Sequence, residues 1–151
     1  PSPLKEGLIW VSTDDGNIQL TQDGGKTWDL VSRELTSGKK GLVPPATWAP
    51  HVEASKFDPA TAYVVFDDHR RSNWTTYVYV THDFGNNWKS LVTDEIDGFA
   101  HVIEEDTKNK DLIFLGTEFG LFISFNGGQN WMKWTHGFPI VPVRDIAARS
   151  T

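Results

Sequence analysis

An all-β chain of repeated four-stranded units is what this sequence predicts, and three observations predict it. One pattern of eight residues occurs three times, as Thr21-Gln-Asp23-Gly-Gly25-Lys-Thr-Trp28, Thr81-His-Asp83-Phe-Gly85-Asn-Asn-Trp88 and Ser124-Phe-Asn126-Gly-Gly128-Gln-Asn-Trp131. The residues on either side alternate apolar and polar with the period of two of β-strands. No stretch carries the apolar stripe of a helix. The Trp residues of the pattern lie 60 and then 43 positions apart, and the second interval is near the roughly 40–45 residues of one propeller blade. The expected architecture is a partial β-propeller of about three four-stranded blades.

The strands follow in order. Leu8 to Ser12, Asn17 to Thr21 and Trp28 to Ser32 give three. Val52 to Phe57, Ala62 to Phe66, Thr76 to Thr81 and Trp88 to Val92 give four, and Ala100 to Glu104, Leu112 to Gly116, Leu121 to Ser124 and Trp131 to Thr135 give four more. Val143 to Ala148 gives a last strand. Blade one is therefore expected over 7–36 without its inner strand, a Gly- and Pro-rich loop over 37–50, blade two over 51–93 and blade three over 99–136. Residues 141–149 are expected to supply the inner strand of a further blade or of a partner's blade.

The repeated pattern has the chemistry of a tight hairpin. Asp or Asn accepts from backbone N–H groups a few residues on and tolerates turn geometry. Gly25, Gly85 and Gly128 supply a positive φ. Thr21, Thr81 and Ser124 offer a hydroxyl that closes the turn from the other side, and each Trp opens the next strand.

Propellers close with about 4–8 blades, and three blades alone leave two exposed edges. The loose ends are complementary: residues 143–148 of one chain can pair beside 8–12 of another. Two copies would then close a ring of about six blades with two-fold symmetry, a strand-exchanged homodimer.

Composition narrows the function. A formal charge of −6 argues against a binder of nucleic-acid backbones. No apolar run reaches the length of a membrane span. The absence of Cys removes disulfides, thiolate metal sites and a Cys nucleophile. No His-x-x-x-His or similar spacing marks a metal site, and no cofactor is expected.

The pattern resembles the Asp-box, or BNR, repeat of sialidases, of xyloglucanase-type glycoside hydrolases and of sortilin (VPS10) propellers. The stretch from Gly116 to Trp131, followed by Val143-Arg-Asp-Ile-Ala147, looks most like large bacterial sortilin-like or glycosyl-hydrolase-like propeller proteins. This resemblance implies that the Asp-boxes join strands three and four of a blade, away from the ligand face. It favours a secreted or periplasmic location, although no signal peptide is visible in a chain that starts at Pro1. A sialidase would need three convergent Arg, a Tyr nucleophile and its Glu partner. Arg70, Arg71 and Arg144 do not match that motif.

By analogy of fold, ligands gather where the inner strands start and the strand two–three loops lie. Aligning the inner strands on Asp58, Asp106 and Arg149 puts Glu53, His101 and Arg144 at equivalent places near the channel mouth. Such a trio binds an anion or polarises a carbonyl or sugar; a buried ion network is the alternative. Asp67, Asp68, His69 and Arg70 form a second cluster in the loop of blade two, with Glu118 in the corresponding loop of blade three. Paired carboxylates and a His suit acid–base work or ligand binding, and a solvated, mutually paired charge loop is the alternative. Trp48, Trp74 and Trp134 are stacking platforms for sugars or packing pieces between blades.

Three functions remain open. The first is a binding or scaffold module for carbohydrate or a protein partner at the channel face. The second is a glycoside hydrolase whose site is completed by a second chain or by further blades. The third is a propeller segment with no activity of its own.

Overall fold

The computed structural model describes residues 1–137 and 139–150. Its described residues form eleven strands in three antiparallel sheets. The first sheet holds β1 (Ile9–Ser12), β2 (Ile18–Thr21) and β3 (Asp29–Leu30). The second holds β4 (Trp48–Ala54), β5 (Ala62–Asp67), β6 (Tyr77–Thr81) and β7 (Lys89–Ser90). The third holds β8 (Ala100–Glu105), β9 (Ile113–Thr117), β10 (Gly120–Ser124) and β11 (Met132–Lys133). Every sheet runs in sequence order, a chain of hairpins. Among the described residues the one helical element is a single 3₁₀ turn, His69–Arg71.

The middle sheet explains how the blades stack. All six residues of β5 and all five of β6 are buried, because both faces are covered. Val64, Phe66, Tyr77 and Tyr79 face blade one, where they join Leu8, Trp10, Ile18 and Leu20 in one core. Tyr63, Val65, Val78 and Val80 face blade three and meet Ile103, Ile113, Leu115 and Phe122 in another. Alternate residues of one strand thus serve two cores, as the period of two requires. Each fully buried large side chain contributes about 1.5–3 kcal/mol.

The outer strands β3, β7 and β11 are two residues each and mostly exposed, which is how edges are kept from pairing with other chains. The ends of β3 and β7 are tied to the next blade by the Trp of its turn. The Trp88 indole N–H donates to the Val31 carbonyl at 2.9 Å, and the Trp131 indole N–H donates to the Leu91 carbonyl at 3.0 Å.

Two expectations need correction. Strand β4 begins at Trp48, inside the segment expected as loop, and its register shifts between Trp48 and His51. Pro50 has no N–H for a ladder, so it sits where the ladder is broken. Residues 143–148, expected as a strand, form none in the single chain. A strand needs a partner ladder, and the described residues offer this segment only one such bond, from Val143 N–H to the Thr117 carbonyl at 2.9 Å.

Candidate functional site

The three turns repeat one hydrogen-bond pattern. The Thr21, Thr81 and Ser124 hydroxyls accept the N–H of Gly25, Gly85 and Gly128 at 2.9, 2.9 and 2.8 Å. The same hydroxyls donate to Asp23, Asp83 and Asn126 at 2.8, 2.9 and 3.0 Å. Those side chains in turn accept the N–H of residues Thr27, Asn87 and Asn130. Two bonds to Thr27, from its hydroxyl and its N–H, with a third from the Thr21 hydroxyl, bring the Asp23 carboxyl down to about 2. The Asn87 amide and N–H lower Asp83 in the same sense. In the third turn the polarity of one bond reverses. Asn87 donates its amide to Asp83, whereas Asn126 donates its own amide to Asn130. Asp and Asn are thus interchangeable here because residue 130 turns its oxygen inward. Every one of these bonds is made within its own turn, so the turns are structural.

The chemically rich surface lies elsewhere, around a cavity of about 1060 Å³. Asp67, at the end of β5 and buried, grips His69, whose Nδ1 lies 2.7 Å from Asp67 Oδ1 and whose N–H donates to the same oxygen at 2.9 Å. The His69 ring stacks on Phe99 with centroids 4.6 Å apart, and Trp74 leans on both. The edge of His101 meets Phe99 at 5.1 Å, and His101 Nε2 lies 2.8 Å from Glu118 Oε2. The Arg70 guanidinium rests 4.7 Å above the Trp48 ring. The 3₁₀ turn and the register shifts beside Trp48 and Ala100 aim these side chains at one space.

Of the residues singled out in the sequence, Asp67, His69, Arg70, His101, Glu118 and Arg144 line this cavity. Asp68 does not. It turns back to hold its own loop, accepting from Arg71 Nε at 2.5 Å and from Asn73 Nδ2 at 2.8 Å. Glu53 does not line it either. It sits with Lys56, whose Nζ lies 2.8 Å from Glu53 and 2.9 Å from Glu104. The equivalence of Glu53 with His101 fails because Asp58 and Asp106 are not equivalent. Ser55 N–H bonds the Thr61 carbonyl as Asp106 N–H bonds that of Leu112, so Ser55 is the true counterpart of Asp106. The strand ladders agree: Glu53 faces Tyr63 and Glu104 faces Phe114, one pair from each end of equivalent hairpins.

The Glu53 group is an ion network. Burial would raise the Glu53 carboxyl, but the His51 imidazole and the Lys56 ammonium beside it hold it below its usual range. His51 Nε2 stands 3.6 Å from Glu53, beyond hydrogen-bond reach. Burial would lower Lys56, and the two glutamates outweigh it and raise it. Donor atoms of His51, Glu53 and Glu104 all lie within 4.8 Å of one another, and the Lys56 ammonium supplies the positive charge between the carboxylates. Below it Glu105, raised chiefly by burial, accepts the Lys56 N–H at 2.6 Å and the Ser55 hydroxyl at 2.9 Å.

Sequence reasoning missed Phe99, Asp97 and Lys56. An apolar Phe beside a His carries no chemical signal until the fold stacks it on His69. Lys56 was findable, because Glu53 and Glu104 stand one residue before the end of equivalent strands.

Three antiparallel sheets stacked face on face, each with one of these turns between its last two strands, define the chain as a set of β-propeller blades. The comparisons agree with a propeller family of the Asp-box type. An oligoxyloglucan-reducing end-specific xyloglucanase of Emericella nidulans is 26% identical over 98 residues, covering 60% of this chain. A vacuolar protein sorting/targeting protein 10 of Neosartorya fischeri is 32% identical over 108 residues, covering 72% of it. The chain spans only 10% and 6% of those two relatives. An ancestral GH74 enzyme superimposes with a TM-score of 0.65 at 16% identity, covering 88% of this chain and 17% of the enzyme. YCF48 bound to a D1 peptide superimposes with 0.62 at 18% identity, covering 91% of this chain and 40% of that one. No family model matches the chain.

Proposed function

We propose that the chain is a binding module whose cavity face takes an extended ligand, a peptide segment or a glycan chain, against its aromatic wall. One observation carries this reading: Trp74 and Phe99 stack with His69 along one side of the cavity, while His101–Glu118 and Asp67 supply polar groups beside them. A flat apolar wall with a few fixed polar groups is the usual build of a ligand site. Trp74 is 62% exposed although its neighbours hold it in place, and an exposed, oriented ring is a stacking platform. YCF48, a propeller of like fold, has a peptide bound to it, which supports the peptide arm.

The test is a titration with xyloglucan oligosaccharides and with a library of unstructured peptides, read by calorimetry. Trp74→Ala should weaken whichever ligand binds by at least tenfold while leaving the melting temperature within a degree or two. Binding untouched by Trp74→Ala and by His101→Gln would remove the cavity from the account.

A second reading has its own support. Asp67, Asp97 and Glu118 all reach the cavity wall, and glycoside hydrolysis uses two carboxylates across one bond. The xyloglucanase relative favours it. Release of a reporter from aryl glycosides, abolished by Glu118→Gln, would establish it; binding without turnover leaves the first reading. In either case closure of the ring by a second copy, residues 143–148 pairing beside 8–12, completes the channel that the cavity opens on.

A further inference from the structure

The two arginines of the 3₁₀ turn are neighbours in sequence and opposites in use. Arg71 commits its guanidinium to the fold, donating to Asp68 Oδ1 at 2.5 Å, the Pro45 carbonyl at 2.9 Å and the Thr47 hydroxyl at 2.7 Å. Arg70 rests its guanidinium on the Trp48 ring at 4.7 Å. Among the described residues no carboxylate stands within ion-pair reach of it, and the two nearest in sequence are already occupied. Asp67 is wholly buried with both oxygens on His69 Nδ1, and Asp68 holds Arg71 and Asn73. The Trp48 ring offers no oxygen to a guanidinium, so the N–H donors of Arg70 stay available.

This pair is braced from below. Ala46 has a φ of +57°, a left-handed conformation that strains a residue with a Cβ. Such backbone persists only where its surroundings hold it, and it gathers at ligand sites. Arg71 grips the residue on each side of Ala46. It thereby fixes the start of β4, and with it Trp48, against the turn that carries Arg70. Both Trp48 and Arg70 line the cavity.

We propose that Arg70, held on Trp48, anchors a carboxylate of a peptide ligand. The proposal rests on the cavity being the ligand site, and it chooses between the peptide and the glycan left open there. A planar guanidinium matches a carboxylate through two parallel hydrogen bonds, and a neutral glycan has no such group. The blade-three side of the cavity is acidic, with Asp97 exposed and Glu118 beside His101. A glycan with a carboxylate on each sugar would be repelled along that side. A peptide sets a single carboxylate, from its C-terminus or from an Asp or Glu, at Arg70. Its uncharged backbone then runs past Asp97 and offers N–H donors to it.

The experiment is calorimetry of the full 151-residue chain with a library of short unstructured peptides. Each is made with Glu or with Gln, and with a free or an amidated C-terminus, so that side-chain and terminal carboxylates are told apart. Xyloglucan oligosaccharides and oligogalacturonate are the neutral and acidic glycans. Peptides with a carboxylate should bind about tenfold more tightly than their Gln-bearing amides. Arg70→Gln should erase that difference and leave the melting temperature unchanged, since the Arg70 guanidinium makes no hydrogen bond to the fold. Arg70→Lys keeps the charge without the fork and should recover only part of the difference. Arg71→Gln releases the brace and should lower the melting temperature together with the affinity. Peptide binding that Trp74→Ala weakens, but that ignores both the carboxylate and Arg70→Gln, overturns the anchor and keeps the cavity. Binding of oligogalacturonate in place of the peptides, lost with Arg70→Gln, overturns the peptide as partner. No binding of any peptide or glycan overturns the anchor and the cavity reading together.

Discussion

The turn side of the blades and the cavity side are built from the same kinds of residue and behave oppositely. Along the turns, the Thr or Ser hydroxyl and the Asp or Asn side chain bond within their own eight residues, and the three copies repeat one pattern with a single bond reversed in the third. Around the cavity no two blades agree. Blade two offers Asp67 at the end of β5 and His69 on a 3₁₀ turn, and blade three offers His101 on its first strand and Glu118 in the loop between its second and third. Repetition marks the side that holds the fold, since one solution satisfies the same backbone groups each time. Divergence marks the side where the proposed ligand site lies.

The comparison breaks most readily at Gly85. Its φ of +81° is left-handed, and a Cβ there meets Val31 at 2.6 Å. Gly85→Ala should cost about 2–4 kcal/mol, combining backbone strain with overpacking of a blade junction. Gly24 has a φ of +75° and nothing within 4 Å of its added Cβ, so Gly24→Ala should cost only the strain, roughly 1–2 kcal/mol. Equal costs in urea unfolding would mean that the junction does not depend on that close approach.

A smaller effect compares a carboxylate from each side. Asp83→Ala strips the partners from the Thr81 hydroxyl, the Asn87 N–H and the Asn87 amide, and should cost about 1–2 kcal/mol. Glu118→Gln keeps an oxygen for His101 and should cost less than about 0.5 kcal/mol. If Glu118→Gln proved the costlier change, the cavity side would be structural and the division drawn here would be wrong.

How legible each side was in the sequence follows from the same difference. The turns could be read because every bond spans at most four residues, from Thr81 to Gly85 or Asp83 to Asn87. Strands β5 and β6 could be read because alternation survives even when both faces are buried. The cavity could not be read as fully. Glu53 was placed beside His101 by matching Asp58 to Asp106 on residue type, when the hairpin bonds match Ser55 to Asp106. His69 on Phe99 joins residues from two blades, and nothing in the local sequence of either announces the other.

The finest distinction lies within the turns and is read by pH. Asp23, at about 2, and Asp83, also lowered, are both held ionised by donors in their own turns. Asn126 makes the corresponding bonds and does not titrate. A carboxylate depressed in the folded state adds stability above its unfolded value, near 3.8, and that stability is lost as pH falls through the folded value. The double variant Asp23→Asn, Asp83→Asn turns the first two boxes into copies of the third, with Thr27 and Asn87 reversing their bonds as Asn130 already does. The variant should be slightly less stable than the native chain at neutral pH, because an ionised acceptor bonds more strongly than an amide. That gap should narrow from about pH 4, as the unfolded carboxyls take up protons, and be mostly gone near pH 2, where the folded Asp23 carboxyl is about half protonated. Urea midpoints measured across this range decide it. A gap that stays constant down to pH 2 would show that the ionised form of the box adds nothing, and that Asp and Asn serve the turn by shape alone.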